Sequence, residues 1–290
     1  MYLNSRIYNM KTYLDCLPCF VEQALRASRI ATDDDRLIKQ VLDEVGDMLK
    51  EIPMENTPAE SGILIYKKVR DITGVIDPYR KIKQQHIAET KALIPELEKI
   101  MVEAKDPLLT AIRLAIAGNV IDLGINKTFD IVADVRKILK QDFAVFDYKA
   151  FKINLAAAKN ILYIGDNAGE TVFDKILIKQ LNKPVKFAVR SQPVINDATM
   201  EDAVASGLNE VAELIESGSI APGTILGRCT PEFLDIYRNT DMVISKGQGN
   251  YEGLSDEKRT IFFLLKAKCP VIAGVLGVKE GAIVLKGVNL

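Results

Sequence analysis

The sequence predicts a helical N-terminal part joined to a doubly wound α/β part. From residue 13 to residue 159, apolar side chains recur at intervals of three and four, the spacing of amphipathic helices. After Asn160, short apolar runs of strand length alternate with helical stretches, the pattern of parallel βαβ units whose sheet is covered on both faces. At 290 residues, 48% of them hydrophobic, with 18 Gly and 11 Pro, the chain can bury a large core and is neither disordered nor collagen-like.

Val21, Leu25 and Ser28 share one face of a first helix. Asp33, Asp34 and Asp35 make an acidic start for a second, which presents Leu37, Val41, Val45 and Leu49. Pro53 and Pro58 interrupt the pattern, and Gly74 with Pro78 marks the next boundary. Helix resumes over 79–104, with Pro95 kinking or dividing it. Asp106-Pro107 opens a helix ending near Gly118, and further helices cover 129–140 and 148–159. Residues 161–164, Ile-Leu-Tyr-Ile, closed by Gly165-Asp166, read as a buried strand; 171–181 read as a helix and 185–189 as a second strand. Less sharply marked elements follow over 201–205, 211–215 and 231–238. Strands are expected over 242–245, 262–265, 271–273 and 283–285.

Composition excludes several function classes. Lys and Arg number 38 against 39 Asp and Glu, so a net charge of −1 gives no general electrostatic reason to bind nucleic acid or an anionic membrane. No apolar run reaches the roughly 18–20 residues of a membrane span. One histidine, His86, expected at the surface of a charged helix, leaves little for Ser-His-Asp, Cys-His or multi-histidine zinc chemistry. Four scattered cysteines and no signal-peptide pattern point to a reducing cytoplasm. Cys16-Leu-Pro-Cys19 is a redox or half-zinc pattern with no second C-x-x-C, and buried thiols at a helix start explain it equally well.

The strongest chemical signal is Gly165-Asp-Asn-Ala-Gly-Glu170, where a strand ends and a helix begins. Open α/β sheets bind ligands at that carboxyl edge. An Asx turn with a helix cap would explain the same letters without catalysis. Asn196-Asp-Ala-Thr199 follows the next strand, and Asp197 alone reads as a helix cap. Neighbouring strand ends would nevertheless bring Asp166, Asn167 and Asp197 together as oxygen ligands for a hard ion such as Mg²⁺ or Mn²⁺. Lys246-Gly-Gln-Gly-Asn250 is a glycine loop after another strand, and Lys246 offers a point charge to phosphate; it is not a Walker A loop. In the helical part, Asn119 and Asp122 either follow a helix end or reach substrate from that side.

In that order these motifs, with Cys16-x-x-Cys19, Gly118-Asn119-x-x-Asp122 and Lys246-Gly-x-Gly-Asn-Tyr251, resemble the damage-control phosphatase family, from residue 10 to the C-terminus. The C-x-x-C variant is similar to its stand-alone prokaryotic branch. The resemblance implies an all-helical domain over 10–159 and a Rossmann-like three-layer α/β/α domain over 160–290, with a metal at their junction. It implies Asp166, Asn167 and Asp197 as ligands of a divalent ion (Mn²⁺, Mg²⁺, Co²⁺ or Ni²⁺). It also implies Asn119, Lys246 and Asn250 around the substrate, a sugar phosphate or phosphopantetheine-like metabolite. Asp166, Glu170 and Asp122 are the catalytic candidates, either Glu170 or Asp122 accepting a water proton. Alternatives are an S-adenosylmethionine-dependent carboxyl methyltransferase and a non-catalytic metal- or ligand-binding protein. The sequence leaves native metal, substrate and oligomeric state open.

Overall fold

The computed structural model describes residues 10–120 and 131–290. It opens with α1 (Cys16–Ala31), α2 (Asp35–Met48) and α3 (Pro58–Thr73). Asp34 caps α2 by accepting from the Arg36 amide, and Thr57 caps α3 by accepting from Glu60. Phe20, Ala24, Val41, Val45, Ile65 and Val69 form a core shared by these helices. Then come α4 (Arg80–Ala92), α5 (Ile94–Val102), α6 (Pro107–Val120), α7 (Ile131–Lys140), β1 (Phe143–Phe146) and α8 (Tyr148–Ala157). Pro95 sits in the first turn of α5, where a missing amide costs no helical bond, so it divides the 79–104 stretch.

The α/β part runs β2 (Ile161–Ile164), α9 (Thr171–Leu181), β3 (Val185–Val189), α10 (Met200–Ser206), β4 (Glu213–Glu216), α11 (Pro231–Asn239) and β5 (Met242–Lys246). It ends with α12 (Gln248–Leu254), β6 (Ile261–Lys266), α13 (Pro270–Leu276) and β7 (Ile283–Val288). The strands form one seven-stranded sheet in the order β1-β7-β6-β5-β2-β3-β4. Every neighbouring pair is parallel except β6 with β7. Ile161, Tyr163, Phe187, Ile244 and Phe262 enter one core, whereas Leu162, Ile164, Val243 and Phe263 enter the other. That period of two, buried on both faces, makes three layers.

After β2 the chain winds outward through β3 and β4, then returns to β5 on β2's other side. The carboxyl ends of β2 and β5 therefore flank a topological switch point, where such sheets leave a crevice.

Two expectations need correction. Residues 271–273 lie in α13, not a strand: Pro270 starts the helix behind the Cys269 cap, and three apolar letters could not separate the two. Within α6 the bare Cα of Gly118 permits close approach, since a Cβ there would lie 2.8 Å from Phe173. His86 is buried at 6% exposure, because α4 turns its Lys83–His86–Ile87 face inward. Lys83 is tolerated there by ion pairs of 2.7 Å to Asp202 and 3.0 Å to Asp77. Contacts also cross the 159/160 change of texture. β1 pairs with β7, and Ala115, Ile116, Phe151 and Leu155 share a core with the sheet. Among the described residues, no helix is long and apolar enough to cross a membrane.

Candidate active site

The loops after β2 and β3 are joined by backbone bonds. Ala168 N donates to Asn196 O at 2.8 Å and Ala198 N to Asp166 O at 2.8 Å, with an antiparallel bridge between Asn167 and Asp197. Asp166, Asn167 and Asp197 are thus brought together at the edge that strand order predicts. From the helical side, Gly118 lets α6 close onto α9, and Asn119 reaches across. Its Nδ2 donates to Asp166 Oδ2 at 2.6 Å and to Glu170 Oε1 at 2.9 Å. Asp122 lies outside the described residues.

Glu170, wholly buried, collects four donors. Its Oε1 accepts from Asn119, from the Asn167 amide at 2.7 Å and from Asn167 Nδ2 at 2.8 Å; Oε2 accepts from Lys246 Nζ at 2.7 Å. Burial alone would raise its pKa, but Lys246 and these donors outweigh burial and hold it below the usual value. Three of these donors converge on Oε1 and fix Asn119 and Asn167 against it, while Oε2 holds the Lys246 ammonium. Asn167 Nδ2 also donates to Asp166 Oδ2 at 3.2 Å. With its amide nitrogen committed to two carboxylates, its carbonyl oxygen is left for another partner.

Lys246, expected beside the substrate, is buried at 0% exposure, and its ammonium lies 2.7 Å from Glu170 and 2.7 Å from Asp174. In this geometry it is the internal counter-ion of the two carboxylates. Burial would lower its pKa, but the two carboxylates more than reverse that and lock the charge on. Asn250 is buried as well. Its Nδ2 donates to the carbonyls of Gly165 (2.9 Å) and Lys246 (2.7 Å), tying the ends of β2 and β5 together. Gly247, at φ +79°, is needed between them: a Cβ there would lie 1.8 Å from Asp166 Oδ2.

Three contributors escape the motif reading. Arg190, at 2% exposure, spans the floor: its guanidinium donates to Asp197 Oδ2 (2.7 Å), Thr224 Oγ1 (2.9 Å) and Asn250 Oδ1 (2.9 Å). The available signal was a cation directly after an apolar strand, one position beyond β3. Asp174 falls one helical turn past Glu170, on the face that meets Lys246. Lys268, exposed on the loop after β6, donates its backbone amide to Gln248 Oε1 at 3.0 Å, beside Gly247, and its charge acts on Asp166.

Electrostatically the cluster is short of cations. Asp166, Glu170, Asp174 and Asp197 are buried with Lys246 and Arg190 as buried partners. Burial first, then Glu170 and Asp197, push the Asp166 carboxyl up to about 8. Asp197 is also raised, by burial that Arg190 only partly offsets. Asn119 Oδ1 is buried without a hydrogen-bond partner among the described residues. Two carboxylates, an amide oxygen and an unmet need for positive charge fit a hard divalent ion. Among the described residues, no trio drawn from His, Cys, Asp and Glu is arranged to hold a metal. Cys16 and Cys19 share their electrostatic neighbourhood with Cys269 and Glu252.

A family model described as the damage-control phosphatase ARMT1-like domain matches residues 12–284. A protein named damage-control phosphatase from Pyrococcus horikoshii is 37% identical over 284 residues, covering 95% of this chain and 97% of that one. Another so named, from Archaeoglobus fulgidus, is 32% identical over 284 residues, with 94% and 98% covered. The crystal structure of a DUF89 family protein from Pyrococcus horikoshii superposes with a TM-score of 0.87 at 35% identity, covering 96% of this chain and 99% of that one.

Proposed function

The chain belongs to the damage-control phosphatase ARMT1-like family, and from that premise we propose that it is a divalent-metal-dependent phosphatase of small phosphorylated metabolites, working in metabolite damage control. The carrying observation is the buried carboxylate cluster at the switch point, which holds more negative charge than Lys246 and Arg190 match.

In this reading Asp166, Asn167 and Asp197 hold the ion. When bound, it supplies Lewis-acid polarisation of a phosphoryl oxygen and activation of water. The chain's own residues do the positioning. Glu170 and Asn119 fix Asn167 and Asp166, Arg190 fixes Asp197, and Lys246 keeps Glu170 ionised. The cation that meets the substrate phosphate is Lys268, exposed at the same edge, and not the buried Lys246. Positive charge there offsets the negative charge of the transferring group.

The test is a screen of sugar phosphates and phosphopantetheine-like compounds with Mg²⁺, Mn²⁺, Co²⁺ or Ni²⁺, reading released phosphate. Turnover abolished by chelator and restored by one of these ions is the expected result. No phosphate release with any ion, or methyl transfer from S-adenosylmethionine instead, would overturn the reading.

A further inference from the structure

Ile195 stands at φ +44°, in the left-handed region, two residues before Asp197. A β-branched side chain is the least suited to that region, because its Cβ substituents crowd the backbone. Glycine or asparagine is the usual occupant of such a turn position. The turn is nonetheless closed, with Asp197 N donating to Val194 O at 3.1 Å. Strain of this kind persists only where the surroundings over-determine it.

Both sides of that constraint are visible. On the sheet side, Asn196 O accepts from Ala168 N, Ala198 N donates to Asp166 O, and Asn167 bridges Asp197. On the helical side, the half-buried Ile195 packs against the core of α1 to α3 and lines a small cavity together with Ala27, Tyr66, Val69 and Tyr79. The residue is gripped by one part of the molecule while the chain on either side of it is tied to the other.

We infer that Ile195 is a positioning residue through which the N-terminal helices hold the Asp197 carboxylate in place for its ion. The inference rests on the metal reading above and adds to it a reason for the helical part: its grip keeps an unfavourable turn closed. Without the grip, a residue averse to positive φ opens the turn and carries Asp197 away from Asp166 and Asn167. A residue tolerant of positive φ keeps more of the geometry even though it packs no better.

The experiment is calorimetric Mn²⁺ titration of the folded full chain, comparing Ile195→Val, Ile195→Ala and Ile195→Gly with the parent. Ile195→Val keeps the grip and binds within about threefold of the parent, while Ile195→Ala loses on the order of tenfold. Ile195→Gly, although smaller still, binds more tightly than Ile195→Ala. A second pair, Ile195→Asn against Ile195→Thr, poses the same question at similar volume and decides it should Ile195→Ala not fold; Asn is expected to bind more tightly. Purely packing-driven behaviour reverses or levels both orders, and that result overturns the inference. Asp197→Asn is the control for the underlying reading: if it binds Mn²⁺ as the parent does, the metal assignment itself is wrong, whatever the Ile195 series shows.

Discussion

Removing the Lys246 ammonium separates the two parts this residue could play. In Lys246→Ala, Glu170 and Asp174 lose a partner that sits 2.7 Å from each, in surroundings with no solvent access. Breaking a buried ion pair on one side costs roughly 3–5 kcal/mol, because the remaining charge is stranded. Asp174, already raised to about 6 by burial despite Lys246, then takes a proton, which limits the loss without cancelling it. For a chain of this size the melting temperature falls by on the order of 10 °C. Restoring neutrality with Asp174→Asn in the same background recovers about half of that, a coupling that a double-mutant cycle measures directly. Calorimetric melting of the four metal-free proteins at one pH is the assay. If Lys246→Ala melts like the parent and only the substrate KM rises, the lysine reaches phosphate as its loop motif suggests, and the counter-ion assignment is wrong.

Other outcomes follow from the same geometry. Gly247→Ala drives a Cβ into Asp166 at a positive φ, so Mn²⁺ affinity and turnover fall together, read by calorimetry and phosphate release. Lys268→Ala lowers kcat/KM for phosphate esters by roughly ten- to a hundredfold without weakening Mn²⁺ binding, the loss of one charge-assisted contact; an unchanged kcat/KM would remove it from the site. Cys16→Ser with Cys19→Ser leaves metal-dependent turnover largely intact, since oxygen ligands suffice; loss of activity in the folded double variant would give the thiols a part in the chemistry. Glu252 is raised to about 7 by burial, partly offset by hydrogen bonds from Gln248 and Ala59. Folded Glu252 therefore holds its proton where the unfolded chain has lost it, so its contribution is full below pH 4.5 and declines as pH rises to about 7. Glu252→Gln removes that decline and raises the melting temperature at pH 8 relative to the parent, but not at pH 4; equal gains at both would point to packing instead.

The elements nearest the site were the most legible. β2, α9 and β3 fall on the residues the sequence marks, because a short apolar run, a glycine stop and a helical period coincide there. The meeting of Asp166 and Asn167 with Asp197 could be anticipated because consecutive parallel strands end at one edge. What remained hidden depends on tertiary partners. β1 is a four-residue edge strand whose register comes from β7, far along the chain. Lys246 looks like a ligand-seeking cation until the carboxylates facing it are known, and Arg190 draws no notice at all, since the sequence contains no sign of which charges are matched inside. His86 reads as a surface residue for the same reason: the Asp202 that pairs with Lys83 on its face belongs to another element.

The most direct measurement is an anomalous difference map from crystals soaked in Mn²⁺, recorded near the manganese edge. The expected result is one strong peak bounded by Asp166, Asn167 and Asp197, lost in crystals of Asp197→Asn. A peak confined to Cys16 and Cys19, with the carboxylate cluster empty, would contradict the account.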